Sequence, residues 1–187
     1  LVDAVQKLGD PYVLVLVGAG AGMPEEDRVI SLPYERDPKA VARIVASADA
    51  FVHANDREPF GLIVIEAMAC GLPVLGTAST GNADFMSAAN SLVVTSACTA
   101  VDEAAAREIP VFRGHDWYEP SGESLRGGFR RLFEDDAPRR QLGEKVRETI
   151  RGGFGLELGC AAMARALDQA ERSVFPRDLP AIDREHI

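Results

Sequence analysis

The sequence predicts an α/β fold built on a doubly wound parallel sheet and followed by C-terminal helices. Through the first two-thirds of the chain, short apolar runs alternate with segments whose apolar residues recur at helical spacing. Strands separated by helices are typical of parallel sheets covered on both faces. The runs also lack polar alternation, as expected for strands buried on both sides. Both observations favour this fold class.

Five strands are expected along the chain. The first run is apolar throughout and rich in valine, which suits a strand covered on both faces. Four shorter runs of the same kind follow it. The five candidates are residues 12–17, 28–32, 49–54, 73–76 and 91–95.

Two helices are expected between these strands. The first covers residues 37–47, where Asp37 is a capping residue and Pro38 occupies the first helical position. The second covers residues 58–70 and ends at Gly71, because glycine just past the last turn terminates a helix. Together they give the alternation that a parallel sheet requires.

The last third of the chain is expected to be mainly helical. Residues 97–120 contain two prolines, a glycine and little periodicity, and are expected to form a long irregular excursion. Three helices and a terminal tail would follow it. They are residues 121–134, 136–151, 156–174 and 175–187.

Composition excludes several classes of protein. The 187 residues suit about one domain. They include 20 basic and 29 acidic side chains, so the net charge is 20 − 29 = −9, which argues against binding nucleic acid or an anionic membrane surface. No apolar run approaches the ~20 residues that cross a bilayer, and no secretory signal is recognisable. The three cysteines have no paired spacing, which indicates a cytoplasmic protein.

The most informative segment is residues 56–73, in which a helix is expected to begin at Pro59. Proline suits the first helical position because its fixed φ is helical and its missing N–H is not needed there. Gly61 has no Cβ, so a ligand can approach the backbone closely. The amides of Phe60, Gly61 and Leu62 would lie at the positive end of the helix dipole and form an anion site suited to phosphate.

The body of this helix is apolar except for Glu66. A helix that is apolar all round is expected to be buried, and a buried carboxylate needs hydrogen-bond partners. Glu66 would either cap a loop or pair with an arginine, or it would accept hydrogen bonds from a polyhydroxylated ligand. Glu58, eight residues earlier, is either an ordinary N-cap residue or a second carboxylate that serves sugar or ribose hydroxyls.

The motif from Glu58-Pro-Phe-Gly-Leu62 to Glu66-Ala-Met-Ala-Cys-Gly-Leu-Pro-Val74 resembles a known signature. It is similar to the Glu-x7-Glu pattern of retaining glycosyltransferases with the GT-B fold, specifically family 4 (glycosyl transferases group 1). The resemblance implies a Rossmann-like C-terminal domain, residues 1–174 with an insert at 97–120, that binds a nucleotide-diphosphate sugar. The activity implied is transfer of a hexosyl group to a sugar, glycan, lipid or small-molecule acceptor with retention of configuration.

The resemblance also implies roles for the residues around the first glutamate. Glu58 would be the catalytic residue and would contact the hydroxyls of the donor sugar. Phe60, Gly61 and Leu62 would offer backbone amides to the sugar or the diphosphate.

The remaining implied contacts concern the nucleoside. Glu66 would hold the ribose hydroxyls, and Leu32 and Pro33 would lie against the base. Enzymes of this family usually need no metal, so no metal or other cofactor is expected. Helix N-termini and basic side chains would instead stabilise the leaving diphosphate.

The chain departs from the family pattern at its beginning. The family has an early strand and an Arg- and Lys-bearing turn that clamps the diphosphate, and both precede the region that matches Leu1. An N-terminal acceptor domain would also lie outside the chain. We therefore expect somewhat less than one complete domain, in which strands 12–17 and 49–54 flank the position of the missing first strand and do not pair. This polypeptide alone is expected to bind donor weakly at best and to be inactive.

Two alternatives remain open at this point. One is a non-catalytic module that binds a nucleotide or sugar. The other is a related GT-B enzyme, either a polysaccharide synthase or a nucleotide-sugar epimerase. The gene sequence upstream of Leu1 would distinguish them from a transferase.

Several residues near the motif have two interpretations. His53 either contacts the ligand or is a strand-end residue with local partners, and Arg57 either meets a phosphate or faces water. Trp117 is either a packing anchor or a sugar platform. The glycines of residues 18–22 lack the third glycine of a dinucleotide fingerprint, and the three histidines have no metal-ligand spacing.

Overall fold

The computed structural model describes residues 2–8, 12–18, 28–134 and 136–174. They form an α/β fold with parallel strands and intervening helices, which confirms the predicted fold class. The elements in chain order are α1 (Val2–Gln6), β1 (Leu14–Val17), β2 (Val29–Leu32), α2 (Pro38–Ala46), β3 (Phe51–His53), α3 (Leu62–Cys70), β4 (Val74–Thr77), β5 (Leu92–Val94), β6 (Ser96–Ala100), α4 (Glu103–Glu108), β7 (Asp116–Pro120), α5 (Gly122–Glu134), α6 (Asp136–Gly153) and α7 (Leu156–Val174).

The parallel strands form two ladders. β1 pairs with β2, and β3, β4 and β5 pair in that order, with β4 at the centre. Within the described part of the chain, no ladder joins β1 to β3, as the resemblance predicts. β6 and β7 form a separate antiparallel hairpin.

A single apolar cluster lies against both ladders. Most of its buried members come from α1, β4, β5 and α5, two lie in the segments just after α1 and just before β1, and the partly buried Leu14 of β1 and Val52 of β3 pack against it. Burial of this apolar surface is the main source of stability for such a layer. The buried members are Ala4, Val5, Leu8, Tyr12, Leu75, Val94, Leu125, Phe129 and Leu132.

The start of α2 agrees with the sequence. Asp37 has an extended backbone and its Oδ1 accepts a hydrogen bond of 3.0 Å from the Lys39 N–H, while Pro38 takes the first helical position. The cap satisfies one of the amides that a helix leaves without an intrahelical partner.

α3 begins later than the sequence predicts. It was expected from residue 58, with Pro59 in its first turn, but it starts at Leu62. Gly61 has a φ of 91°, a left-handed conformation that interrupts a right-handed helix and places Pro59 in the preceding bend. The C-terminal end at Gly71, also left-handed at φ 81°, is as predicted.

The insert is more ordered than expected. Residues 97–120 were expected to be irregular, but they contain most of the β6–β7 hairpin and α4. The Asp102 side chain caps α4 by accepting from the N–H groups of Ala104 and Ala105 at 2.8 and 2.9 Å. Val101 and His115 close the segment through a backbone bond of 2.9 Å. Short elements of this kind are set by pairing between distant residues, which periodicity does not reveal.

The chain divides into two compact units, Leu1–Ile150 and Arg151–Ile187. The second unit contains α7, on which Leu156, Met163 and Leu167 are exposed. The predicted tail, residues 175–187, lies outside the described residues. Among the helices described, none is long and apolar enough to cross a membrane.

Candidate functional site

The loop that follows β3 carries the first half of the motif. It leaves the carboxyl end of a strand in a parallel ladder, which is where open α/β sheets bind ligands. Residues 54–61 form this loop, called the motif loop below, and α3 begins directly after it.

The Glu58 carboxylate is held by side chains from the end of β3 and the start of the motif loop. Its Oε2 lies 3.0 Å from His53 Nε2 and accepts a hydrogen bond of 3.2 Å from Asn55 Nδ2. Its Oε1 accepts a bond of 3.3 Å from the Phe60 N–H. The side chains of His53 and Glu58 are only 15% and 19% exposed, so both groups are fixed in a largely enclosed position.

The motif loop is also fastened to the segment after β4. The buried Thr77 hydroxyl donates to the Asn55 carbonyl at 2.9 Å and accepts from the Asn55 N–H at 3.3 Å. The Glu58 N–H donates to Thr80 Oγ1 at 3.0 Å, and the Gly81 N–H donates to the Glu58 carbonyl at 2.9 Å. These bonds fix the backbone that presents Glu58.

The network keeps Glu58 ionised. Burial alone raises the pKa of this carboxyl. The hydrogen bond and charge of His53, together with the N–H groups of Phe60 and Gly61, outweigh burial and hold the pKa of Glu58 below its ordinary value. An ionised carboxylate accepts hydrogen bonds only, which suits sugar or ribose hydroxyls.

Gly61 fits a space that no other residue can occupy. A Cβ added here would lie 2.0 Å from Asn82 Oδ1 and 3.2 Å from the Phe85 ring. Asn82 is fully buried, and its Nδ2 donates to the Thr77 carbonyl at 3.3 Å. The Phe60 ring meets Phe85 edge-on, with centroids 5.8 Å apart. The glycine therefore allows the motif loop to pack closely on the segment after β4.

The amides predicted to be free are only partly so. The Phe60 N–H donates to the Glu58 carboxylate, and the nearby Gly61 N–H helps to lower the pKa of that carboxyl. Leu62 is the first residue of α3, where a helix leaves its N–H without an intrahelical partner, and its side chain is 66% exposed. Whether any of these amides faces a donor stays a prediction.

Glu66 is not the buried carboxylate that the sequence predicts. It is exposed on α3 together with Leu62 and Ala69, which lie four and three residues away along the same helix face. Val64, Ala67 and Met68 form the buried face. The error arose because apolar residues cover the whole helix, so periodicity did not show which face meets solvent. The role of Glu66 toward a ribose stays a prediction.

Leu32 and Pro33 lie at the carboxyl end of β2. Leu32 is half-buried and its carbonyl accepts from the Gly18 N–H at 3.1 Å, whereas Pro33 and Tyr34 are exposed. Leu32 is the last residue of the β1–β2 ladder and Pro33 follows it, whereas Glu58 follows β3 of the other parallel ladder. The structure thus leaves their predicted contact with a base untested.

The insert contacts the motif loop directly. The Arg57 guanidinium lies over the rings of Phe112 and Trp117, 4.2 and 5.5 Å from their centroids, and the Tyr118 N–H donates to the Asp56 carbonyl at 3.0 Å. This is a cation–π contact. It differs from both interpretations of Arg57, which were contact with a phosphate and exposure to water. Trp117 packs against Arg57 and also lines a cavity beside the motif loop, so the choice between a packing anchor and a sugar platform stays open.

A cavity of about 470 Å³ lies beside the motif loop, with Asn55 and Asp56 on one wall and Trp117 and Glu119 of the insert on another. The described residues contain no group of three or more His, Cys, Asp or Glu side chains that could hold a metal ion. The glycines of residues 19–22 lie outside the described part of the chain.

Sequence reasoning missed the residues that hold Glu58 in place. Asn55, Thr77, Thr80 and Asn82 are short polar residues flanking β3 and β4, and none of them has a recognisable spacing. Polar residues that follow neighbouring parallel strands lie at the same edge of the sheet, and this placement could have predicted that they approach Glu58.

Two proteins of known name are similar in sequence to parts of this chain. A D-inositol 3-phosphate glycosyltransferase of Mycobacteroides abscessus is 31% identical over 139 residues, which cover 67% of this chain and 28% of that protein. An N-acetyl-alpha-D-glucosaminyl L-malate synthase of Bacillus anthracis is 42% identical over 52 residues, 28% of this chain and 13% of that protein.

Solved structures share the fold. Sucrose-phosphate synthase of Thermosynechococcus elongatus matches 93% of this chain and 41% of its own length, with a TM-score of 0.63 and 25% identity. WaaG, a glycosyltransferase involved in lipopolysaccharide biosynthesis, matches 72% of this chain and 30% of its own length, with a TM-score of 0.52 and 23% identity. Both likenesses agree with the GT-B fold.

The family follows from the extent of the match. The chain spans less than half the length of each of these relatives, so it corresponds to a part of them. The model of the family described as glycosyl transferases group 1 matches residues 1–110, which is more than half of this chain. The chain belongs to the glycosyl transferases group 1 family.

Proposed function

We propose that this chain provides the donor site of a retaining, family 4 glycosyltransferase that uses a nucleotide-diphosphate sugar. The observation that carries the proposal is the ionised Glu58 carboxylate, enclosed at the carboxyl end of β3 and placed just before the N-terminus of α3. A carboxylate beside a helix N-terminus offers acceptors for sugar hydroxyls and donors for a diphosphate in one place.

The proposed role of Glu58 is twofold. It accepts hydrogen bonds from hydroxyls of the donor sugar and so orients the anomeric carbon. Its negative charge also favours the positive charge that develops there as the bond to the diphosphate breaks. Because His53 and Asn55 hold one oxygen of the carboxylate before the ligand arrives, little reorganisation is needed beyond the exchange of partners at its other oxygen.

The other contacts serve the nucleoside diphosphate. The N–H of Leu62 and the first turn of α3 would meet the diphosphate, joined by Phe60 and Gly61 when Glu58 turns to the sugar. The exposed Glu66 carboxylate is available to the ribose hydroxyls. Leu32 and Pro33 would lie against the base. No metal is required in this proposal, since helix dipoles and basic groups counter the charge of the leaving group.

The acceptor and the compartment are also matters of proposal. The names of the relatives point to hydroxyl-bearing acceptors in those proteins, and a hydroxyl-bearing acceptor is proposed here too. The cysteine pattern favours the cytoplasm.

Donor binding tests the proposal on this chain. Ligand-observed NMR and calorimetry with UDP-glucose, UDP-N-acetylglucosamine and GDP-mannose, each with and without EDTA, should show one preferred donor whose binding survives the chelator. Glu58→Gln should lower the affinity for that donor by about tenfold or more, because a charged acceptor is replaced by a neutral amide. Glu144→Gln on the exposed face of α6 is the matched control and should leave binding unchanged.

The opposing results are equally clear. A chain that binds none of these donors, or a Glu58→Gln variant that binds as tightly as the parent, would refute a donor site at Glu58. Retention is tested in the full-length protein by the anomeric configuration of the product, read by NMR before it equilibrates.

A further inference from the structure

Two side-chain nitrogens meet one carboxylate oxygen of Glu58. His53 Nε2 lies 3.0 Å from Glu58 Oε2, Asn55 Nδ2 lies 3.2 Å from the same oxygen, and the two nitrogens are 2.9 Å apart. Both nitrogens are therefore directed at one carboxylate oxygen. Oε1, the other oxygen, points to the Phe60 amide instead.

The charge on Glu58 decides where the His53 proton lies. If Nε2 carried no hydrogen, its lone pair would face an ionised oxygen at 3.0 Å, and the two acceptors would repel each other. An ionised Glu58 therefore selects the state in which Nε2 carries a hydrogen and donates to Oε2. The Asn55 amide must present Nδ2 to the same oxygen, because the flipped amide would bring a second acceptor there.

The imidazole is well fixed. His53 is the last residue of β3, its ring stacks on Phe51 with centroids 6.0 Å apart, and its side chain is only 15% exposed. Its backbone pairs with Gly76 of β4, where a Cβ would lie 2.6 Å from the His53 carbonyl oxygen. The neighbouring strand thus approaches closely and leaves this residue little freedom.

The two oxygens of Glu58 therefore have different hydrogen-bond partners. A carboxylate has about four acceptor positions, and here His53 and Asn55 serve Oε2 while the Phe60 N–H donates to Oε1. A sugar hydroxyl that bonds to Oε1 competes with the loop amides there. The two loop amides are the ones that an incoming diphosphate can take over, whereas the side chains of His53 and Asn55 have no such substitute.

We propose that His53 is a positioning residue that, with Asn55, holds Oε2 of Glu58 in place while Oε1 exchanges its backbone amides for a hydroxyl of the donor sugar. The proposal rests on the proposed function of Glu58 and adds the residue that orients it. His53 acts through Glu58 and does not itself contact the donor.

The neighbouring charges do not take over this role. Arg57, next to Glu58 in sequence, lies on the rings of Phe112 and Trp117, and Asp56 lines the cavity beside the motif loop. The charge interaction that acts on Glu58 comes from His53.

Two measurements on the full chain test this role. The first is the pH titration of the Glu58 carboxyl by NMR with 13C-labelled glutamate, which needs no ligand. His53→Leu should raise the pKa of Glu58, because the donor is lost while burial remains. His53→Gln, which keeps an N–H donor, should return it toward the parent value, and His115→Leu in the exposed part of the insert is the matched control.

The second measurement is donor affinity with whichever of the three nucleotide sugars binds the parent chain. His53→Leu should weaken binding by about 10- to 100-fold, the range expected for loss of a hydrogen bond to a charged group. His53→Gln should recover most of it. In the Glu58→Gln background the same substitution should change affinity less than about twofold, because a residue that acts through Glu58 adds nothing once that carboxylate is gone.

The possible failures are distinguishable. If the parent chain binds none of the donors, the proposed function fails, and the Glu58 titration alone then decides whether His53 orients the carboxylate. If donors bind but His53→Leu behaves like His115→Leu in both measurements, the positioning role is wrong and the donor site stands. Should His53→Leu not fold, Asn55→Ala removes the other donor to Oε2 and must also raise the pKa of Glu58.

Discussion

Replacing Gly61 with alanine tests the packing that supports the site. The native φ of 91° places this residue in the left-handed region, where a side chain costs about 1–2 kcal/mol. The new Cβ would also lie 2.0 Å from Oδ1 of the buried Asn82, so the motif loop or Asn82 must move. Overpacking of this kind costs about 1–3 kcal/mol. The sum predicts a loss of about 2–5 kcal/mol in the free energy of unfolding.

A second glycine separates the two contributions. Gly114 in the insert has a similar φ of 76°, but a Cβ there meets nothing within 4 Å. Gly114→Ala should therefore show only the backbone term of about 1–2 kcal/mol. The difference between the two variants, about 1–3 kcal/mol, measures the contact between Gly61 and Asn82.

Urea unfolding followed by circular dichroism gives both values, with a thermal scan as an independent check. A difference of about 1–3 kcal/mol corresponds to about 2–12 °C in Tm for a chain of this size. If Gly61→Ala is no more destabilised than Gly114→Ala, the close approach of the motif loop to Asn82 does not contribute to stability and the packing argument is wrong.

Three further outcomes are expected. Because the pKa of Glu58 lies below its ordinary value of 4.5, its ionisation stabilises the fold fully above pH 4.5, and this contribution is lost as the pH falls through the lowered value. The free energy of unfolding, measured against pH, should therefore fall for the parent chain relative to Glu58→Gln only below about pH 4.5. A difference in unfolding free energy between the two proteins that does not change with pH would contradict this. Gly127→Ala should raise the free energy of unfolding by about 0.5–1 kcal/mol in urea unfolding, because alanine favours the helix. Gly128→Ala should lower it, because the new Cβ would lie 2.3 Å from Leu75. If both variants change the free energy of unfolding in the same direction, the packing of α5 on Leu75 is wrong. Asp102→Ala should lower the unfolding free energy by about 1 kcal/mol by removing the cap of α4, and no loss would mean that the cap is not needed.

The sequence predicted the elements whose signals are local. The five parallel strands were found because each is a short apolar run, and α2 was found because Asp37 and Pro38 mark its beginning. Such signals lie within a few residues of the element that they define. The fold class therefore followed from the sequence without knowledge of any long-range contact.

The errors concern contacts between distant residues. The start of α3 depends on the left-handed turn at Gly61, which exists because Asn82 leaves room only for a glycine. The exposure of Glu66 depends on which face of α3 packs against the rest of the layer. Neither feature produces a periodic pattern of apolar residues. Both depend on contacts with other segments, so neither can be predicted from the residues of a single segment.

The candidate site shows the same division between motif and support. The motif contains Glu58, but its position is fixed by Thr77, which bonds to Asn55, and by Thr80, which bonds to Glu58, each 22 residues beyond its partner. The β3–β4 ladder ends at the pair of His53 and Gly76. Beyond it, the Thr77 hydroxyl donates to one backbone group of Asn55 and accepts from another, so it continues the pairing where backbone partners have diverged. Since β4 is the central strand of its ladder and is buried along its whole length, this hydroxyl connects the loop that carries the carboxylate to the interior of the sheet. Substitutions in β4 should therefore affect Glu58 through its position, even though they contact no ligand.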